Sequence, residues 1–353
     1  SKDLEELKEQ LRIRNNSHFR NARFELVVPR KFNVDARTSA GPIHAGDIDG
    51  WARLHSNGGQ IEVGDVTGSL NAGSLGGHVE TGDVGGDLVL NTKGGHIEAG
   101  AVNGKVTAHT LGGHIEIEKA TDCVDAKTMG GHVWVGHAMK SVIAKSDGGG
   151  IKVVKADGPV NGKTMSGAIN VTFTGQPDGD SKLVTGSGAV KVNYLKDIGF
   201  DISATTGGGQ IRGSFVEGKP GQVNYQLNDG KHKLNVASGN GSIKFVEVEA
   251  SSIDQEFEEE LDDRSDSRGQ KLFNRGYDLI TRGEYVESIA ANRQAAKFPR
   301  LKGIATYNIG CALALLGKKE EALETLNDAV DFGFDDVNQY RNDSDLDSLR
   351  SDE

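Results

Sequence analysis

The chain has 353 residues, 49 of them Gly, with 40 Lys and Arg against 51 Asp and Glu and a formal net charge of −11. That length allows two domains, and an acidic balance with no basic run argues against nucleic-acid binding, which needs clustered cations to displace phosphate counterions. No stretch of 18 apolar residues occurs, which excludes a helical membrane span.

Residues 1–21 read as an N-terminal helical or flexible segment. Within it, 3–14 places Leu4, Leu7 and Leu11 on one face of a charged helix, fit for a cap or a short dimerising contact. The chain opens on Ser1 rather than Met, as a processed product or an expressed piece does. An opening strand follows at 24–28.

From Thr38 onward a Ser or Thr is followed three residues later by Gly and five later by Ile or Val, eleven times. The first eight aliphatics, Ile43, Ile61, Val79, Ile97, Ile115, Val133, Ile151 and Ile169, keep a strict 18-residue period. So regular a period means stacked identical coils, a β-solenoid. Midway between successive members of that series comes Ala52, Leu70, Leu88, Val106, Val124, Val142 or Val160, so each coil carries two strands. In one coil Ile97, Ala99, Val102, Val106 and Ala108 should point inward and Glu98, Lys105, Thr107 and His109 outward. Eleven coils at about 4.8 Å make a rod of roughly 50 Å.

The motif glycines, among them Gly59, Gly77, Gly95, Gly113, Gly131 and Gly149, read as structural corners that need positive φ or close backbone packing. The hydroxyls three residues before them should form a column bonded to corner amides. After Ile169 the next motif aliphatics are Val190, Ile211 and Ile243, a wider and irregular spacing, with turns expected at 176–180 and 218–221. Longer final coils would cap the rod against edge-to-edge polymerisation.

Residues 22–248, from F-E-L-V-V-P-R through the T-x-x-G-x-I units to L-N-V-A-S-G-N-G-S-I-K-F, resemble the bacterial adhesin-like family of β-strand repeats. The resemblance implies a β-solenoid and a place in the cell envelope, the periplasm or outside the cell rather than the cytoplasm. It implies no catalytic residues.

Glycine then falls away, and eight of the thirteen residues 254–266 are acidic, so 249–267 reads as an acidic linker or a first helix. In 268–353 a second, 34-residue period appears, relating Gly276 to Gly310, Gly283 to Gly317, Ser288 to Ala322, and Ala295 to Ala329. With N-R-G-Y-D-L-I-T-R-G-E-Y and Y-N-I-G-C-A-L-A-L-L-G-K-K-E-E-A, residues 268–332 resemble tetratricopeptide repeats. The resemblance implies helical hairpins with Gly283 and Gly317 at the turns, and a groove for a protein or peptide partner. Asn292 departs from the family, which usually has an aromatic there, and Pro299 arrives one position early. The tail at 335–350 is similar to capping helices.

Several columns bear chemistry. His78, His96, His114 and His132 recur at one outward position, with Glu62, Glu80, Glu98 and Glu116 two residues after that position in each coil. Such columns are candidate zinc ligands, although parallel side chains splay where a zinc site needs convergence, so an inert polar ladder is the expected reading. Asp47, Asp65 and Asp83 form a carboxylate column, as a glycan-cleaving β-helix would need, but acids at repeat corners are turn formers. Cys123 and Cys311 fall in different domains, so no disulfide framework is expected. The reading is a mainly β solenoid with a C-terminal all-α repeat domain: a non-enzymatic scaffold or adhesin-like protein, with no cofactor, that recruits a protein partner. A polysaccharide-binding or polysaccharide-cleaving β-helix is one alternative, and a self-associating, bactofilin-like filament former joined through solenoid ends is another.

Overall fold

The computed structural model of the protein describes residues 11–14, 28–29 and 31–350. Two compact units divide the chain between Phe257 and Glu258. In the first, each regular coil contributes two strands to two parallel, in-register columns. In one coil Ile115–Ala120 is the first strand and Val124–Lys127 the second. Ile115 pairs with Ile97 on one side and Val133 on the other, and Val124 pairs with Val106 and Val142. A constant coil length returns each aliphatic to the same point, so the core is a set of columns: Ile97, Ala99, Val102, Val106 and Ala108 are all buried, as their alternation requires. Each buried Ile or Val contributes about 1.5–3 kcal/mol. Isolated bridges joining Ile48, Val66, Val84 and Val102 add a third, minimal ladder.

Each corner is held by one hydroxyl. Thr110 Oγ1 donates to Gly95 O in the preceding coil (2.9 Å) and accepts from Gly113 N (3.2 Å). The same pair of bonds recurs from Ser56 to Ser238. The corner glycines are required by close approach and not by positive φ. A Cβ on Gly113 would overlap the carbonyl of Gly95, and Gly59, Gly77, Gly95, Gly131 and Gly149 meet the preceding corner in the same way.

The regular part counts about nine coils of about 18 residues rather than eleven, because the last motif copies lie in lengthened coils, and these do not stack in chain order. Val190–Leu195 pairs with Ile243–Val248, and Ser181–Thr185 pairs with Lys233–Ser238, so the final coil in sequence is inserted next to the 181–195 coil. The segment Phe200–Gly213 is pushed outside it, pairing with both of its strands. The antiparallel strand Val216–Leu227 then covers Phe200–Gly213. Residues 218–221, expected as a turn, lie inside this covering strand. Gly218 and Gly221 take positive φ there (51° and 85°), where the ladder shifts register. Pro220 removes an amide from the same strand, a device that blunts an edge.

At the other end the expected helix at 3–14 is corrected over its last four residues, 11–14. Leu11–Arg14 is a strand paired in parallel with Val34–Thr38, Leu11 facing Val34 and Ile13 facing Ala36. The L-R-I-R alternation has period two, and the stack offers it an edge. Residues 3–10 and 24–27 lie outside the described set.

Of the two readings of 249–267, acidic linker or first helix, the structure has the helix: the segment lies almost wholly in one helix, Ala250–Thr281. Its first residues belong to the solenoid unit. Asp254 and Glu256 pair with Lys155 (2.7 Å) and Lys152 (2.9 Å), and Phe257 lies edge-on to His137. The second unit contains the helices Tyr285–Ala295, Lys302–Leu315 and Lys319–Asp331, then short turns of helix from Val337–Asn342 to Asp347–Arg350. Gly283 (φ 75°) and Gly317 (φ 76°) reverse the chain at equivalent points of successive repeats. Ser288, Ala295, Ala322 and Ala329 are fully buried between helices. Gly276 faces Asn292, and Gly310 faces its equivalent, Leu326. Asn292 lies in a polar contact: it donates to Ser288 O (3.0 Å), and Ser288 Oγ donates to Gly276 O (2.8 Å).

Candidate functional site

The solenoid brings the four predicted histidines into one stack. Rings of His78, His96, His114 and His132 lie 4.8, 4.8 and 5.0 Å apart, nearly parallel. Each Nδ1 accepts a backbone N–H from the next coil: His96 N to His78 (2.9 Å), His114 N to His96 (2.8 Å), His132 N to His114 (2.8 Å), and Gly150 N to His132 (2.8 Å). An Nδ1 that accepts an amide proton leaves the neutral ring's own proton on Nε2. Zinc at Nε2 would displace that proton, whereas a metal-bound imidazole normally donates from its other nitrogen. The outer nitrogens also run in parallel at coil spacing instead of converging. This donor set does not fit zinc.

The aspartate column is used in the same way. Asp47 Oδ1 accepts from Asp65 N (2.9 Å), Asp65 Oδ1 from Asp83 N (3.0 Å), and Asp83 Oδ1 from Ala101 N (2.8 Å). A carboxylate committed to the amide of the next coil is a staple, and three staples do not make an acid and base facing across a glycosidic bond. A separate carboxylate of the solenoid, Asp157, is perturbed. The hydrogen bond with His137 Nε2 (2.8 Å), supported by Thr174 Oγ1 (2.6 Å), holds Asp157 below the usual carboxylate range.

The second-strand face has a different character. Position by position along its ladder stand Arg37, His55, Gly73 and Asn91, and beyond them His109, Lys127, Lys145 and Lys163. A shallow groove of about 550 Å³ opens over its first part, walled by Arg53, Asn71, Asn91, Lys93, Leu75 and Leu111. Gly73 forms its floor, where the missing side chain leaves a hollow between His55 and Asn91. The side chains of Arg53, Asn71, Asn91 and Lys93 have no hydrogen-bond or ion-pair partner among the described residues. The sequence has no basic run, yet folding assembles a basic column. Its lysines, Lys127, Lys145 and Lys163, are each one coil apart in sequence, so writing the chain one coil per line reveals them.

In the helical unit, Cys311, Asp343 and Asp345 bring ligand atoms within 4.8 Å of one another, a grouping the sequence reading missed. Asp343 is occupied, accepting from Tyr307 OH (2.7 Å) on one oxygen and from Asp345 N (3.0 Å) on the other. Burial, then the charge of Asp343, pushes the Cys311 thiol well above its ordinary range, and burial with Asp343 also raises Asp345. A protonated thiol beside a capping carboxylate is a packing arrangement, not a thiolate site. Both cysteines are free. No helix among the described residues is long and apolar enough to cross a membrane.

Comparison with protein-family models, curated proteins and solved structures finds no match to this chain.

Proposed function

We propose that the protein is a non-enzymatic scaffold: a stiff β-solenoid of adhesin-like type, working at the cell envelope, that carries a tetratricopeptide-like helical module for a protein partner. One observation carries the non-enzymatic reading. The lone pairs that catalysis or metal binding would need, on Nδ1 of the four stacked histidines and on the carboxylates of Asp47, Asp65 and Asp83, accept amide protons from the adjacent coil. Reactive groups consumed in stacking leave surfaces, and surfaces bind.

The recruitment reading rests on the matched glycine turns of successive repeats and on apolar side chains left outside the helical core. Leu323 and Val330, two turns apart on Lys319–Asp331, share one helical face and are about half exposed (52% and 45%). The bactofilin-like alternative is disfavoured by the antiparallel strand that closes one solenoid end. The test is capture of a defined partner by the full chain, compared with a Leu323→Glu/Val330→Glu variant whose circular dichroism is unchanged. Recruitment through this unit predicts loss of capture, and undiminished capture would move binding to the solenoid.

A further inference from the structure

Side chains alternate along a strand, so positions 71, 73 and 75 of one coil share a face, and their equivalents in other coils form three adjacent columns. The column at the strand end reads Leu75, Lys93, Leu111, Met129, Asp147, Met165 over six consecutive coils. Backbone bonds fix its register: Leu111 N donates to Lys93 O (3.2 Å), Met129 N to Leu111 O (3.1 Å), Asp147 N to Met129 O (3.2 Å) and Met165 N to Asp147 O (3.2 Å). Leu75, Leu111, Met129 and Met165 are 43%, 50%, 55% and 55% exposed. Large apolar side chains left in a row at the surface mark an interaction site. The two charges in the row, Lys93 and Asp147, are opposite in sign, and their side chains have no hydrogen-bond or ion-pair partner among the described residues.

The order of these residues selects the occupant. From either end the column runs apolar, charged, apolar, apolar, charged, apolar, and its two charged rungs carry opposite signs. A second copy laid antiparallel, about a two-fold axis between the Leu111 and Met129 rungs, sets Leu111 on Met129, Leu75 on Met165 and Lys93 on Asp147, each contact made twice. A parallel copy at equal height would set Lys93 on Lys93. An antiparallel copy moved by one coil would set both charges on apolar side chains, where their desolvation is uncompensated. The neighbouring columns obey the same axis. Val89, half-buried, meets Ile143, 38% exposed. Lys127 falls on His109, Lys145 on Asn91 and Lys163 over the Gly73 hollow, so no lysine of one copy faces a lysine of the other. The next rung outward would set Arg53 on Lys182, which bounds the match to these six coils.

We infer that this face docks a second copy of the chain, antiparallel and about that axis; the inference stands independently of the scaffold reading. Sedimentation velocity of the full chain over a concentration series, at physiological ionic strength, tests it. Three columns over six coils approach the size of a standard interface, about 20–30 residues a side, so a dimer of roughly micromolar affinity is expected. Lys93→Glu, which faces a carboxylate with a carboxylate, and Asp147→Lys, which faces an ammonium with an ammonium, should each weaken it about tenfold or more. Leu111→Glu at the centre should do the same. Lys93→Glu/Asp147→Lys should restore the dimer, because the exchanged charges again meet their opposites. An equimolar mixture of the two single variants should also dimerise, although neither does so alone. These positions are exposed, and circular dichroism unchanged from wild type checks that each variant folds. A monomer at every concentration, a dimer indifferent to the single reversals, or failure of the double variant and the mixture to associate would overturn the inference.

Discussion

The two units of this chain stack their repeats by opposite means. In the solenoid, glycine brings backbone against backbone: Gly113 meets the Gly95 carbonyl, and a threonine hydroxyl ties the two corners together. In the helical unit, glycine brings backbone against side chain, Gly310 against Leu326 and Gly276 against Asn292. A backbone contact repeated in every coil cannot yield without moving the whole ladder, whereas a side chain can change rotamer. The solenoid is therefore intolerant at its corners and free on its faces, and the helical unit is tolerant inside, as its exchange of Leu326 for Asn292 shows.

The sharpest way to break this contrast is a pair of adjacent substitutions. Gly113→Ala places a Cβ into the Gly95 carbonyl and is expected to cost about 4 kcal/mol or to prevent folding. Gly112→Ala, whose Cβ would lie 3.5 Å from Gly94 O, should change stability by less than about 0.5 kcal/mol. Denaturant unfolding followed at the solenoid's β signal measures both, and equal effects would contradict the stacking account.

Gly310→Ala in the helical unit comes next. Its Cβ would sit 2.6 Å from Leu326, so the leucine must move, but alanine also favours the helix. The net loss should be about 1–2 kcal/mol, well below that of Gly113→Ala. A loss as large as the solenoid's would mean that the helices are equally unyielding.

The contrast also shows in how much could be read from sequence. Columns were legible because a fixed period maps sequence position onto spatial position: the inward aliphatics, the corner glycines and the histidine stack all follow from counting by coils. The order of the last coils was not. Parallel pairing of any two coils buries the same columns, so the pattern is indifferent to whether Val190 faces Ile211 or Ile243, and only the structure shows the latter. The strand Leu11–Arg14 was hidden by its short length within a charged segment, although Leu11 and Ile13 alternate as a strand requires. The basic column escaped a search for basic runs because its members are remote in sequence. Asn292 was legible as a departure, but its role was not, because its partner, Ser288, gains meaning only when Gly276 presents a carbonyl to it.

A smaller effect is expected where the solenoid face uses charge. Asp157, held below the usual carboxylate range first by its hydrogen bond with His137, stabilises the fold above the unfolded carboxylate pKa, about 3.9. That contribution is lost as pH falls through the lowered folded value. Asp157→Asn should cost about 1 kcal/mol at neutral pH, discounted for partial exposure, and the difference from wild type should vanish in strong acid. A gap that widens on acidification would contradict the assignment. The least effect belongs to the histidine stack. Zinc titrated into the wild type and into a variant with all four histidines replaced should give the same heat, because Nδ1 is already committed. A site present only in the wild type would overturn that reading.

The claim that matters most is that reactive columns are structural while faces bind. The direct measurement is the length of an acidic polysaccharide before and after incubation with the full chain, read as released reducing ends. The polymer should be retained at unchanged length. Shortening that disappears in Asp65→Asn would contradict the account, because a carboxylate assigned to stapling coils would then be cutting a glycan.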